Sequence, residues 1–368
     1  MSIESSLSRR SFIQKASVGA AALSVPELII PYRPKQDRVG VALVGLGNYS
    51  RGQLAPALQE TSHAYLAGLV TGTPAKAEEW GKKHNIPKKN IYSYDNFDDI
   101  ADNPDIDVVY IVLPNSMHAE YTIRAAEAGK HVICEKPMAN SVEECRQMIA
   151  ACKKANRQLS IGYRLHYEPF NQEMMRLGQE EVYGPLTHIE ANFGFPIGDP
   201  TQWRLRKDLA GGGAMMDVGV YCIQGARYTT GMEPLNVQAQ EFKTDPVKFA
   251  EVDETITWQM EFPKGIICSS STTYAFGVHR LWAYSKRQRF GISPAYGYDG
   301  KKGETPDGPM NFPQVREQAN HMDDFAQCLK EDRPTRTPGE MGMQDLRIIE
   351  AIYESIRKGG AKVDIPAA

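Results

Sequence analysis

An apolar run, Val39-Gly40-Val41-Ala42-Leu43-Val44, leads without a charged residue into Gly45-Leu46-Gly47-Asn48-Tyr49-Ser50. A run of that texture fits a strand buried on both faces. Such strands belong to parallel sheets, whose connections must be long crossovers and are usually helices. The glycines then mark a tight turn from the first strand into a helix, where backbone N–H groups without intrahelical partners can hold a pyrophosphate. The motif is Gly-x-Gly-x-x-Ser, not the three-glycine form, so its weight comes from its place between strand and helix.

The first half of the chain repeats this alternation. Strands are predicted at 39–44, 65–70, 108–112, 131–134 and 159–161, and helical periodicity at 74–84, 118–128 and 141–155, with Gly129 where a helix-ending glycine belongs. The pattern predicts a doubly wound Rossmann domain over residues 31–160. Past Gly162 the texture changes. Strand-like stretches at 186–193, 235–241, 255–262, 266–274 and around 281–284 are interrupted by a helix at 218–229, and helices at 315–329 and 341–357 close the chain. The expected class is therefore α/β overall, the second part being an α+β domain over 161–368 with a large, mostly antiparallel open sheet. Its last helices can pack back on the Rossmann domain. A sheet with an uncovered face favours self-association, which predicts a homodimer or homotetramer.

With 368 residues, 42% of them hydrophobic, the chain can bury sizeable cores, and a formal charge of -3 leaves no basic footprint for nucleic acid. The expected partner is a small molecule. At the N-terminus, Ser8-Arg9-Arg10-Ser11-Phe12-Ile13-Gln14-Lys15 precedes a small-residue run. That is the pattern of a twin-arginine export signal over residues 1–30, too short to span a membrane, and it predicts a periplasmic protein with no stable membrane anchor. The six cysteines form no Cys-x-x-Cys pair and no metal-ligand cluster, so core positions are expected and no metal site.

The second predicted strand ends in Leu69-Val70-Thr71-Gly72-Thr73-Pro74-Ala75-Lys76, without the acidic residue that holds both ribose hydroxyls of NAD. The Thr71 hydroxyl and the Lys76 charge suit a 2′-phosphate instead, which favours NADP. Leu113-Pro114-Asn115-Ser116-Met117-His118 follows the strand at 108–112, at the carboxyl edge where such sheets bind ligands, and His118 is expected in the cofactor wall. Cys134-Glu135-Lys136-Pro137 ends another buried strand. A lysine there is costly to desolvate without a partner, and a cis bond at Pro137 would aim it inward.

Further on, Gly211-Gly212-Gly213-Ala214-Met215-Met216-Asp217-Val218-Gly219-Val220-Tyr221 supplies a carboxylate and a phenol at i, i+4, one turn apart on a shared helix face. The glycines would let the backbone pass close to a ligand. The plain alternative makes Asp217 a helix N-cap and Tyr221 a half-buried aromatic. A phenol ordinarily titrates near ~10, but a nearby ammonium favours the phenolate. Lys136, Asp217 and Tyr221 thus form a set suited to taking a proton from an alcohol, and the natural counterpart of that step is hydride transfer to a nicotinamide.

With these segments the chain resembles the glucose–fructose oxidoreductase/inositol dehydrogenase/rhizopine-catabolism (Gfo/Idh/MocA) family, most nearly its glucose–fructose oxidoreductase branch. The resemblance runs from Val39 to the C-terminus and includes Ile161-Gly162-Tyr163-Arg164-Leu165-His166-Tyr167-Glu168-Pro169, Gln202-Trp203-Arg204-Leu205-Arg206, Arg227-Tyr228 and Pro338-Gly339-Glu340-Met341-Gly342-Met343-Gln344-Asp345. It implies a periplasmic enzyme with tightly held NADP that oxidises one sugar to its lactone and reduces another on the same cofactor. Lys136 and Tyr221 would be the proton-transfer pair, with Asp217 beside them. The implied cofactor contacts are Gly45, Gly47, Asn48, Tyr49, Ser50, Arg51, Thr71, Gly72, Lys76, Pro114, Asn115, His118, Glu135, Lys136, Pro137, Arg164, Trp203 and Arg204. Many relatives carry histidine where Tyr221 stands. Two stretches, 194–199 and 284–311, depart from the family pattern and leave the sugar open. Two rivals share the fold: a glycoside hydrolase that uses NAD through transient oxidation, and a non-catalytic ligand sensor.

Overall fold

The computed structural model describes residues 37–367, so the export signal expected over 1–30 lies outside the described residues. Six parallel strands, β1 (Val39–Val44), β2 (Ala64–Val70), β3 (Ile91–Tyr92), β4 (Val108–Ile111), β5 (His131–Cys134) and β6 (Leu159–Ile161), form a sheet in the order β3-β2-β1-β4-β5-β6. Strand order reverses beside β1, which makes the Gly45 turn the switch point of a doubly wound sheet. β1 is buried along its whole length, as its sequence requires. Val41 and Leu43 face one side with Met322 and Phe325 of the helix Glu317–Glu331, while Ala42 and Val44 join the core on the other. That helix, late in the chain, thus covers the first sheet.

The second sheet has nine strands in the order β14-β13-β12-β11-β7-β10-β9-β8-β15. They are β7 (Leu186–Gly194), β8 (Asn236–Phe242), β9 (Thr255–Glu261), β10 (Ile267–Thr273), β11 (Val278–Ser285), β12 (Arg289–Ile292), β13 (Gly303–Thr305), β14 (Gly308–Met310) and β15 (Val363–Asp364). All pairings are antiparallel except β7 with β10. One face is buried: Val237, Ala239, Ile256, Trp258 and Met260 share a core with Ile223 and Ala226 of the helix Val220–Thr230 and with Ile348 and Ile352 of the helix Gly339–Arg357. The opposite face carries exposed Gln238, Gln240, Thr257 and Gln259, the alternation expected of a half-covered antiparallel sheet.

The run expected only near 281–284 is part of a four-strand meander, β11 to β14, whose short strands and glycines hid it from periodicity. All six cysteines are free and buried. Among the described residues no helix is long and apolar enough to cross a membrane.

Candidate active site at the edge of the parallel sheet

The turn after β1 closes on itself. Gly45 has φ +95, and a Cβ there would run into the backbone at Val112, so only glycine fits. Ser50 Oγ donates to Gly45 O at 2.6 Å and is fully buried, so this serine locks the turn and leaves phosphate binding to the backbone around it. Gly47 and Asn48 are exposed, and a Cβ on Gly47 would meet nothing within 4 Å. The open side of the turn is a cradle for a dinucleotide. At the end of β2, Thr71 is buried with its hydroxyl accepting from Thr73 N at 3.2 Å. Gly72 is exposed, Lys76 half-buried in the next helix, and Arg51 pairs with Glu79 at 3.0 Å.

His118 sits deeper than a cofactor wall. It is 1% exposed, with Nδ1 and Nε2 each 2.9 Å from a backbone carbonyl, of Pro137 and Leu113. Burial lowers its pKa against those carbonyls. The neutral ring donates its one N–H to one of these carbonyls and braces the loop after β5 against the helix His118–Glu127. Asn115 is likewise a brace, donating to Ala210 O at 2.8 Å beside Pro114. Glu135 is buried, accepts from Tyr110 Oη at 2.8 Å and has its pKa raised by burial.

Lys136 leaves the end of β5 through a cis bond to Pro137. Its ammonium donates to Asp217 O at 2.6 Å and lies 3.4 Å from Asp217 Oδ1, with side chains 12% and 17% exposed. The same carboxylate accepts from Tyr274 Oη at 2.9 Å and forms an ion pair with Arg204, whose Nε lies 3.2 Å away, and the Arg204 guanidinium lies over Trp203 at 4.6 Å. Burial alone would raise the Asp217 pKa, but the Lys136 and Arg204 charges and the Tyr274 hydroxyl hold it below the usual carboxylate range. Asp217 is therefore a partner in a charge network and not an N-cap.

The shared helix face expected for Asp217 and Tyr221 is not formed as drawn. Asp217 lies in a wide turn, Met215–Gly219, with i→i+5 bonding, and Tyr221 is the second residue of the regular helix Val220–Thr230 that follows. Nor does Lys136 approach the phenol oxygen: its Nζ lies over the ring, 4.8 Å from the centroid. The hydroxyl is met instead by Arg164 Nε at 3.3 Å. Phe193, at 5.5 Å, and Tyr296, at 6.0 Å, wall the ring on its other sides.

The three glycines also serve a different end from the one their sequence suggested. A Cβ on Gly213 would strike the Asp253 carbonyl, and on Gly212 the Tyr353 hydroxyl, so the close approach is to the protein itself. Asp253 accepts from Gly213 N at 2.7 Å, Met215 N at 2.8 Å and Tyr353 Oη at 2.7 Å, fixing the entry to the turn that carries Asp217. No motif marks Asp253, Tyr274 or Glu317: Asp253 lies in the loop before β9, Tyr274 just past the end of β10 and Glu317 at the start of its helix. His166, a conceivable base, is buried, bonded to Gln224 at 2.9 Å and lowered by burial to about 4.

The model of the oxidoreductase family with an NAD-binding Rossmann fold matches residues 39–163, and that of the GFO/IDH/MocA C-terminal domain matches residues 171–293. An NADP-dependent D-xylose 1-dehydrogenase of Haloarcula marismortui is 30% identical over 331 residues, covering 86% of this chain and 91% of that protein. A second such enzyme, of Haloferax volcanii, is 26% identical, covering 87% and 98%. Among solved structures, an aldose–aldose oxidoreductase from Caulobacter crescentus, complexed with glycerol, superposes with a TM-score of 0.85 at 42% identity, covering 89% of this chain and 99% of that one.

Proposed function

The chain belongs to the Gfo/Idh/MocA family of oxidoreductases, and from that premise we propose that it oxidises an aldose at C1 with NADP and returns the hydride to a second sugar on the same tightly held cofactor. That it is a sugar oxidoreductase follows from its relatives across both domains. One observation carries the finer reading: Lys136, Asp217, Arg164 and Tyr221 converge at the carboxyl edge of the parallel sheet, where a bound nicotinamide would lie.

When bound, NADP accepts the hydride that leaves C1. The chain's own residues do the rest. The Gly47 cradle suits the pyrophosphate, and Thr71, Lys76 and Arg51, with no acidic residue between 71 and 76, suit a 2′-phosphate. The Tyr221 oxygen takes the proton of the C1 hydroxyl. Ionised Asp217 keeps the Lys136 ammonium beside the phenol ring, and Phe193 and Tyr296 limit water on that side. Arg9-Arg10 supports export to the periplasm by the twin-arginine route, and the uncovered polar face of the nine-stranded sheet supports a homodimer or homotetramer.

The test is spectroscopic. Purified protein, loaded with NADP and freed of excess, is mixed with single aldoses. Growth of reduced-nicotinamide absorbance with one sugar, and its bleaching by a second without cofactor release, is the expected result. No change across a broad sugar panel, or release of free sugar from a chromogenic glycoside instead, would overturn the reading. For export, changing Arg9 and Arg10 to lysine should retain active enzyme in the cytoplasm; a double variant that still reaches the periplasm refutes the signal.

A further inference from the structure

Two cations flank Tyr221, and their geometry is unequal. Lys136 spends its donors on Asp217, at 2.6 Å to the carbonyl and 3.4 Å to the carboxylate, and faces only the π cloud of the phenol. A cation over a ring face is attracted by the quadrupole, not by the oxygen at the ring's edge. Arg164 also lies over the Tyr221 ring, its guanidinium carbon 5.2 Å from the centroid, but unlike Lys136 it reaches the phenol oxygen as well. Its Nη1 pairs with Glu317 and reaches Gly297 O at 3.4 Å, and its Nη2 donates to Tyr296 O at 2.6 Å. The Tyr298 ring lies 4.4 Å from the guanidinium carbon. Of the two N–H groups that remain, Nε–H meets Tyr221 Oη at 3.3 Å. The Arg164 and Glu317 side chains are 4% and 1% exposed, so the fork is clamped on elements far apart in sequence and has little freedom to turn away. A guanidinium holds its donors in one rigid plane, so anchoring Nη1 and Nη2 aims Nε.

We infer that Arg164 is a catalytic residue that acts on the Tyr221 oxygen, holding the charge of the phenolate, while Lys136 serves Asp217 and the ring face. The inference rests on Tyr221 being the base proposed above. In the oxidation, the substrate O–H bond breaks and a Tyr221 O–H bond forms. The electron pair of the C1–H bond leaves as hydride, so the sugar is oxidised as the bound cofactor is reduced. Before the proton moves, the negative charge sits on the Tyr221 oxygen, at the edge that Nε faces. A cation aimed there lowers the cost of that state, and a charge-assisted hydrogen bond is about twice as strong as a neutral one. Glu317 and the Tyr296 carbonyl then belong to the site as the clamp that aims Arg164.

A double-mutant cycle decides it. Arg164→Met should lower turnover at saturating sugar and NADP by ~10²-fold or more. In a Tyr221→Phe background the same change should cost no more than about threefold, because the hydroxyl it acts on is gone. NADP affinity, read by binding fluorescence in the absence of sugar, should stay within a few-fold of the native protein. Arg164→Lys, which keeps a charge against the buried Glu317, is the second variant should Arg164→Met fail to fold. A single ammonium cannot serve Glu317, the Tyr296 carbonyl and the phenol together, so it too should lose turnover and show the same non-additivity. Losses that multiply in the cycle, or a fall in NADP affinity with turnover restored at saturation, would make Arg164 a cofactor or scaffold residue and overturn the inference. Near-native turnover in Tyr221→Phe alone would overturn the reading beneath it, a separate and distinguishable failure.

Discussion

Asp217 and Asp345 each sit among a cation, a phenol and a further donor, yet only one of them lies in a candidate site. Asp217 is met by Lys136, Arg204 and Tyr274, and its side chain is 17% exposed. Asp345, on the helix Gly339–Arg357, is met by Arg227 at 2.6 Å, Gln224 at 2.6 Å and Tyr163, with nothing exposed. Their pKa values move in opposite directions. At Asp345 burial outweighs Arg227, Tyr163 and Gln224 and raises the value, whereas at Asp217 Lys136 and Arg204 outweigh burial and lower it. The phenols differ as well. Tyr163 spends its hydroxyl on Asp345, while at the other cluster Tyr274 satisfies Asp217 and leaves Tyr221 clear of any carboxylate. The same ingredients thus lock a core when every donor is consumed, and are free for chemistry when one half-buried phenol is left off the carboxylate.

The sharpest way to break that contrast is at Lys136. Lys136→Met should cost ~10²-fold in turnover, because Asp217 and the face of the Tyr221 ring lose the cation that positions them, while the folded protein persists because the site is partly open to water. Steady-state rates beside a thermal melt check it, and a melt that collapses with the rate would make the two clusters equivalent. Next, Asp345→Ala should lower stability by ~1–3 kcal/mol, since it leaves the buried Tyr163 hydroxyl and Gln224 amide without their acceptor while Arg227 keeps its two-pronged pair with Glu233, and the rate per folded molecule should barely change. Chemical denaturation with active-site titration separates the two effects. The smallest effect is in pH. Because the native Asp217 value lies below the ordinary ~3.9, its stabilising contribution is complete above that value and disappears as pH falls through the lower native one. The stability gap between native protein and Asp217→Asn should therefore narrow in acid below the ordinary value. At Asp345 the sign reverses, and its ionisation costs stability as pH rises from the ordinary value through the raised one. A gap at Asp217 that widens in acid would contradict the assigned direction.

Much of this could be read from local pattern. The apolar run 39–44 and its glycines specify a buried parallel strand and a cradle, and both stand where the pattern puts them. Lys136 at a strand end and Asp217 and Tyr221 far downstream are brought together by the fold. Local pattern misled where an effect depended on what lies across the fold. Gly212 and Gly213 read as room for a ligand, yet the space is taken by Tyr353 and Asp253. His118 read as a wall and is a buried brace.

By itself the sequence determined the class of each half, because the burial of an alternating or continuous apolar strand is a property of that strand and its immediate neighbours. It also determined which reactive side chains exist and, through Lys136, that one would be paid for with a partner. Only the tertiary structure decided who that partner is. Hydrogen-bond direction at a guanidinium or ammonium depends on ångström-scale positions set by packing between strands and helices distant in the chain. The assignment of Lys136 to Asp217, of Arg164 to the Tyr221 oxygen, and of Glu317 to the clamp that aims it, is written in no local spacing.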